Sequence, residues 1–187
     1  AFSFTDFDYE ERPGSDALRV QYYTGFASSI EFAVKAFDKW EDAVAAAMIK
    51  FNKWNYDFQI LGGWSQQDIV LGGGWAGNIK NVGFKGEFSW FRSTNELVQN
   101  AFAATLSLDY SFSNSLFLTG GMLYNLAARE VDSANIFAFE LSARNLYPYK
   151  WSVFTSVAYP ITPLLTGNLA IIYSPVTSQP IFINPSI

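Results

Sequence analysis

The residues of this chain that could do chemistry are charged, few, and set at alternate positions among apolar neighbours. Arg19, Glu31, Lys35, Lys50, Asp57, Lys85, Glu87 and Asp109 all follow this rule. Asp57, Glu87 and Asp109 are of the type needed for paired acid/base work, but nothing in their spacing brings any two together. The chain has 0 His and 0 Cys, which removes nucleophile–imidazole triads, the usual general base, imidazole and thiolate metal sites and disulfides. Gly72-Gly73-Gly74 looks like a phosphate cradle only on its surface, since no Lys-Ser/Thr follows and no helix is expected after it; a sheet bend or bulge fits better. Asp6, Asp8, Glu10 and Glu11 could gather on calcium, yet the glycine and spacing of a calcium loop are missing, so a solvated acidic loop is expected. No catalysis, metal or cofactor is assigned.

The bulk composition narrows the class. Of 187 residues, 18% are aromatic and only 16% charged, against about 25% charged in typical soluble domains. The net charge of −5 and the lack of a basic stripe argue against nucleic acid. No apolar run approaches the roughly 18 residues of a membrane-crossing helix, the longest being about 43–49. A transmembrane β-barrel passes this test, because only every second residue of its strands need be apolar.

The elements that carry the charges alternate with period two. From Trp54 to Phe91 three strands follow one another. Trp54, Tyr56, Phe58, Ile60 and Trp64 lie opposite Asn55, Asp57, Gln59 and Ser65; Ile69, Leu71 and Trp75 lie opposite Asp68, Gly72 and Ala76; Val82, Phe84, Phe88 and Trp90 lie opposite Gly83, Lys85, Glu87 and Ser89. Such alternation in neighbours joined by tight turns predicts an antiparallel sheet. The same pattern runs through 17–23, 29–36, 102–112, 115–125, 151–159 and 165–173, with a last run at 181–187. Over 38–51 a helix and a strand compete; alanine, lysine and glutamate favour the helix, and the flanking strands decide for the strand. Residues 1–16 form an acidic loop. Residues 126–148 are the longest unpatterned stretch, with 137–146 expected as a short helix or an inward-folding loop.

Two features turn the apolar face outward. Trp54, Trp64, Trp90, Tyr110, Tyr124, Trp151, Tyr159 and Tyr173 cluster at strand ends while smaller apolar residues fill the middles, the pattern of two interfacial girdles. Turns also alternate between tight (51–55, 79–82, 113–114, 160–163) and longer or more polar (38–42, 92–100, 126–148), with 65–67 as the exception. The expected fold is therefore an all-β, antiparallel, up-and-down transmembrane barrel with about 10–12 strands visible. The alternative is a soluble β-sandwich, such as a carbohydrate-binding module, which should carry more surface charge.

The segments DFDYEERPGSDALRVQYYTG, LGGGWAGNIKNVGFKGEFSWF and NLYPYKWSVFTSVAYPITPLL resemble the later part of a family of little-characterised porin-like outer-membrane β-barrels of Gram-negative bacteria. The resemblance covers most of the chain and defines no catalytic motif. It implies an outer-membrane location, lipid as a partner, and a chain that is part of a longer barrel, because family members extend further at both ends. The eight charged residues named above then line a lumen, four of each sign, which suits passive passage of small polar solutes with weak ion selectivity. A second expectation is a structural or docking barrel that binds a partner protein through acidic loops bearing Glu10, Glu11 and Asp16. An enzymatic barrel is disfavoured by the lack of histidine, and oligomerisation is open by analogy with porin trimers.

Overall fold

The computed structural model describes residues 16–35, 37–95, 97–128, 144–145, 147–175 and 181–187. Asp6, Asp8, Glu10 and Glu11 lie outside these residues, as does most of 137–146. Among the described residues eleven strands follow in chain order, each paired antiparallel with its sequence neighbours in a single sheet. They are β1 (Ala17–Gly25), β2 (Ser28–Lys35), β3 (Val44–Lys53), β4 (Tyr56–Ser65), β5 (Asp68–Ile79) and β6 (Val82–Ser93). There follow β7 (Ala101–Ser111), β8 (Phe117–Asn125), β9 (Trp151–Thr162), β10 (Leu165–Tyr173) and β11 (Ile181–Ser186). The antiparallel meander expected from the alternation is what forms. Among the described residues the sheet is not closed: β1 pairs only with β2 and β11 only with β10. Among the described residues there is no second sheet packed on the first, as a sandwich would need.

The contested stretch 38–51 divides. A single 3-10 turn, Trp40–Asp42, precedes β3, which starts at Val44. Ala45, Ala46 and Ala47 pair with Val34, Ala33 and Phe32 on one side and with Trp64, Gly63 and Gly62 on the other. Two flanking strands outweigh the helical preference of an alanine run.

Turn chemistry fixes the register. Trp54 and Asn55 have φ of 56° and 61°, and Gln66 and Gln67 have 49° and 71°. Two successive left-handed residues match the right-handed twist of a two-residue hairpin. Trp54 thereby leaves the strand face on which the alternation placed it and sits in the turn, where Lys53 Nζ lies 4.6 Å from its ring centroid. Short turns gather at one end of the sheet (26–27, 54–55, 80–81, 112–116, 163–164). The other end carries the links 36–43, 94–100, 126–150 and 174–180, with Gln66-Gln67 as its one short member.

The sheet curls, so that residues of strands from β3 to β9 line a common trough. On the convex side large apolar side chains stand exposed in every strand region, from Leu18 (71%) and Val20 on β1 through Ile60 (56%) on β4 to Ile183 on β11. Among the described residues the only charged positions of that face are Lys53 and Arg92, each at or next to a strand end. Glycines on it are covered by aromatic rings from the facing strand: a Cβ at Gly77 would overlap Tyr56, one at Gly86 would overlap Trp75, and one at Gly73 would crowd Phe88. Large rings thus fill the volume that absent side chains leave in a curved sheet. Of the expected girdle residues, Trp64, Trp90, Tyr124, Trp151 and Tyr173 stand toward the long-link end, and Tyr110 and Tyr159 toward the short-turn end. Tyr124 and Trp151 pack at 4.6 Å between centroids, and Tyr110 meets Phe112 edge-on at 4.7 Å.

Candidate lumen and its covered end

The concave face is built in rows that cross the strands. In one row Lys50, Gln59, Gly74, Glu87 and Thr105 lie directly opposite one another from β3 to β7. Gly74 supplies no side chain, so Gln59 reaches across it to Glu87, with Nε2 3.5 Å from Oε1. A Cβ at Gly74 would stand 3.1 Å from Glu87 Cγ and 3.2 Å from Gln59 Nε2, closing that gap. The next row toward the short turns holds Asn52, Asp57, Ala76, Lys85 and Ser107, and Asn52 Nδ2 donates to Asp57 Oδ1 at 2.8 Å. A third row carries Gly83, Asp109, Thr119 and Ser156. Lys85 Nζ lies 2.9 Å from Asp109 Oδ2, diagonally between the second and third rows.

These rows enclose a trough of about 730 Å³. Five of the eight charged residues expected in a lumen line it: Lys50, Asp57, Lys85, Glu87 and Asp109. Its β7–β9 wall is different in kind, with hydroxyls from Thr105, Ser107, Thr119 and Ser156 beside the rings of Phe117 and Phe154. Arg19 and Glu31 lie on the same face but further along the sheet, joined through Nε–Oε1 at 2.6 Å and Nη2–Oε2 at 2.7 Å. Lys35, at the end of β2, has Ala17 and Val44 as its cross-strand neighbours. Both signs are mixed along the wall, and the carboxylates do not stand as an isolated pair. Among the described residues no group of three or more His, Cys, Asp or Glu could hold a metal ion.

The long-link half of the concave face is covered. Tyr147 and Tyr149 fold onto it and pack with Leu123 and Ile172. Asn125, fully buried at the end of β8, donates through Nδ2 to the Tyr147 carbonyl at 2.5 Å and to Asn145 Oδ1 at 2.7 Å. Beneath them Ser152 and Ser174 share a 2.8 Å hydrogen bond. Arg144 then reaches across to β5, where its guanidinium donates to the buried carboxylate of Asp68 and, through Nη2, to the Gln99 carbonyl at 2.5 Å. Burial pushes the Tyr147 phenol up from its ordinary value, while hydrogen bonds with Ser174 and Ser152 pull the other way.

This covering set was not singled out from sequence. The signal for it lies in the wrong-face apolar residues: Val70, Phe91, Leu123 and Ile172 all occupy positions of the polar parity, and all are buried. A stretch of apolar residues on a face otherwise reserved for polar ones calls for something to pack on it. No family model, curated protein or solved structure matches this chain.

Proposed function

We propose that the sheet is wall of an outer-membrane β-barrel whose concave face lines a porin-like passage for small polar solutes. The observation that carries this reading is the convex face, apolar and exposed across all eleven strands and free of charge between the strand ends. An apolar surface of that extent is unstable in water and suits hydrocarbon. Nine of the strands have 9 to 12 residues, β2 has 8 and β11 has 6; roughly 9–11 tilted residues cross a bilayer. Aromatic side chains near both ends of these strands fit the two lipid interfaces.

In this reading the free edges of β1 and β11 are covered within the membrane, since unpaired backbone groups in hydrocarbon cost several kcal/mol each. Eleven meandering strands leave β1 and β11 running the same way. A wholly antiparallel closure therefore takes an odd number of further strands. The concave charges are of both signs, with Arg19 paired to Glu31 and Lys85 to Asp109, so they favour weak ion selectivity over exclusion of one sign. A closed, docking barrel is the second reading, and it is favoured by the covered long-link end. The test is purification in detergent with heat-modifiable gel migration, followed by liposome swelling with neutral sugars. A heat shift with solute-dependent swelling supports a channel; a heat shift without swelling supports the docking barrel; a protein soluble without detergent and lacking the shift overturns both.

A further inference from the structure

Resting on the reading of the concave face as a lumen, we infer that the β7–β9 wall of the trough is a binding subsite for neutral sugars, with the Phe117 ring as its stacking platform and the Thr119 and Ser156 hydroxyls as its polar contacts. The two halves of the trough differ in what they leave for a solute. Each of the three carboxylates lining it has a protein partner: Asp109 meets Lys85, Glu87 meets Gln59 and Asp57 meets Asn52. Lys50 stands on β3, at the opposite margin from β8 and β9. The hydroxyls of Thr105, Ser107, Thr119 and Ser156 line the trough too, and among the described residues none of them is spent on another protein group. What the β7–β9 wall offers is therefore uncharged.

Phe117 occupies a position of polar parity on β8 and is 40% exposed, and its cross-strand neighbours Ser111 and Ala158 are too small to cover it. One row deeper Thr119 lies directly opposite Ser156, which sets their Cβ atoms about 5 Å apart. Such a pair brackets two neighbouring hydroxyls of a pyranose. Phe154 lines the same wall and packs from behind on the cluster of Leu123, Tyr147 and Ile172. Ala158, beside Phe117, and Phe154 are four positions apart on β9, about 13 Å along a strand, which accommodates two linked pyranose rings. A sugar has apolar C–H faces and a polar rim, so an exposed aromatic ring beside uncharged hydroxyls matches both. A wholly apolar solute would leave those hydroxyls dry and unpaired.

Calorimetric titration of the protein in an amine-oxide detergent, which carries no sugar headgroup, reads the binding directly. Cellobiose is the probe, because its equatorial hydroxyls leave both ring faces apolar, and sorbitol, with hydroxyls but no ring, is the comparison. Cellobiose should bind saturably and about fivefold or more tightly than sorbitol. Phe117→Leu keeps the bulk and removes the ring, so it should weaken cellobiose by about tenfold and leave sorbitol unchanged. Phe117→Tyr should bind like the parent, and Thr119→Val with Ser156→Ala should weaken both solutes severalfold. No saturable heat with cellobiose overturns the subsite, as does undiminished cellobiose binding by Phe117→Leu. If Phe117→Leu loses its heat-modifiable migration, the parent decides alone, tighter cellobiose supporting the subsite and equal affinities overturning it. Liposome swelling separates the subsite from the channel. Saturable binding without swelling supports the subsite and overturns passage, whereas swelling by both solutes without saturable binding overturns the subsite and leaves passage standing.

Discussion

Lys85 on β6 holds Asp109 on β7 at 2.9 Å, and Asp109 lies directly over Gly83, where a Cβ would overlap the carboxylate. The glycine makes room for the acid, and the acid balances the lysine. In the proposed channel this pair should weigh on ion selectivity. Lys85→Met should leave Asp109 uncompensated and move the reversal potential in a salt gradient toward cation selectivity. Asp109→Asn should move it the opposite way, and the double variant should return close to the parent. Reversal potentials that do not respond to either change place the pair outside the conducting path.

Gly63 on β4 faces a tighter constraint than its neighbours. A Cβ there would stand 2.5 Å from the Ala45 carbonyl oxygen and 3.0 Å from Ala46 Cα, both backbone atoms of β3. Backbone cannot swing aside as a side-chain tip can, so Gly63→Ala should destabilise by about 1–3 kcal/mol, in the range of overpacking. Gly120→Ala, whose Cβ would meet nothing nearer than 3.9 Å, should be close to neutral. Thermal midpoints read from heat-modifiable migration compare the two.

The buried Tyr147 makes stability depend on pH. Burial raises its phenol above the ordinary 10.0, so the folded state binds the proton more tightly than the unfolded chain does. The stability that follows is fully present below about pH 10 and is lost as pH rises through the folded value. The thermal midpoint should fall at alkaline pH, and Tyr147→Phe should flatten that fall while losing the bonds to Ser174 and Ser152. An identical alkaline profile in the variant would assign the fall to other groups.

A charge on the convex face tests what that face meets. Ile60 stands mid-strand on β4 and is 56% exposed. In water Ile60→Arg would be nearly neutral or favourable. In a bilayer it should cost about 2–4 kcal/mol, while Gln59→Arg, one residue away on the concave face, should be tolerated. The comparison is of folded yield and thermal midpoint in lipid vesicles.

Much of the fold was legible because period-two alternation is a local signal. Leu106 and Leu108 against Thr105 and Ser107 state which way β7 faces without reference to any other strand. The charged trough residues were legible for the same reason, and Lys85 with Glu87 could be placed on one face from spacing alone. Pairing across strands was not, because the meeting of Lys85 with Asp109 depends on the register between β6 and β7. Trp54 misled because strand alternation continues smoothly through it, whereas the left-handed backbone at 54 and 55 is demanded by hairpin twist. Arg144 was illegible as a partner of Asp68, since contacts between residues so far apart leave no mark on spacing. The apolar residues of polar parity, Val70, Phe91, Leu123 and Ile172, were the one local hint of that cover.

The most direct measurement is environment along β4, taken with an environment-sensitive fluorophore attached to single cysteines placed in turn at 57, 58, 59 and 60 in protein reconstituted into vesicles. A convex face in lipid predicts blue-shifted emission, quenched by nitroxide lipids, at 58 and 60, and water-like emission at 57 and 59. Emission equally wet at all four positions, or dry at 57 and 59, would contradict it.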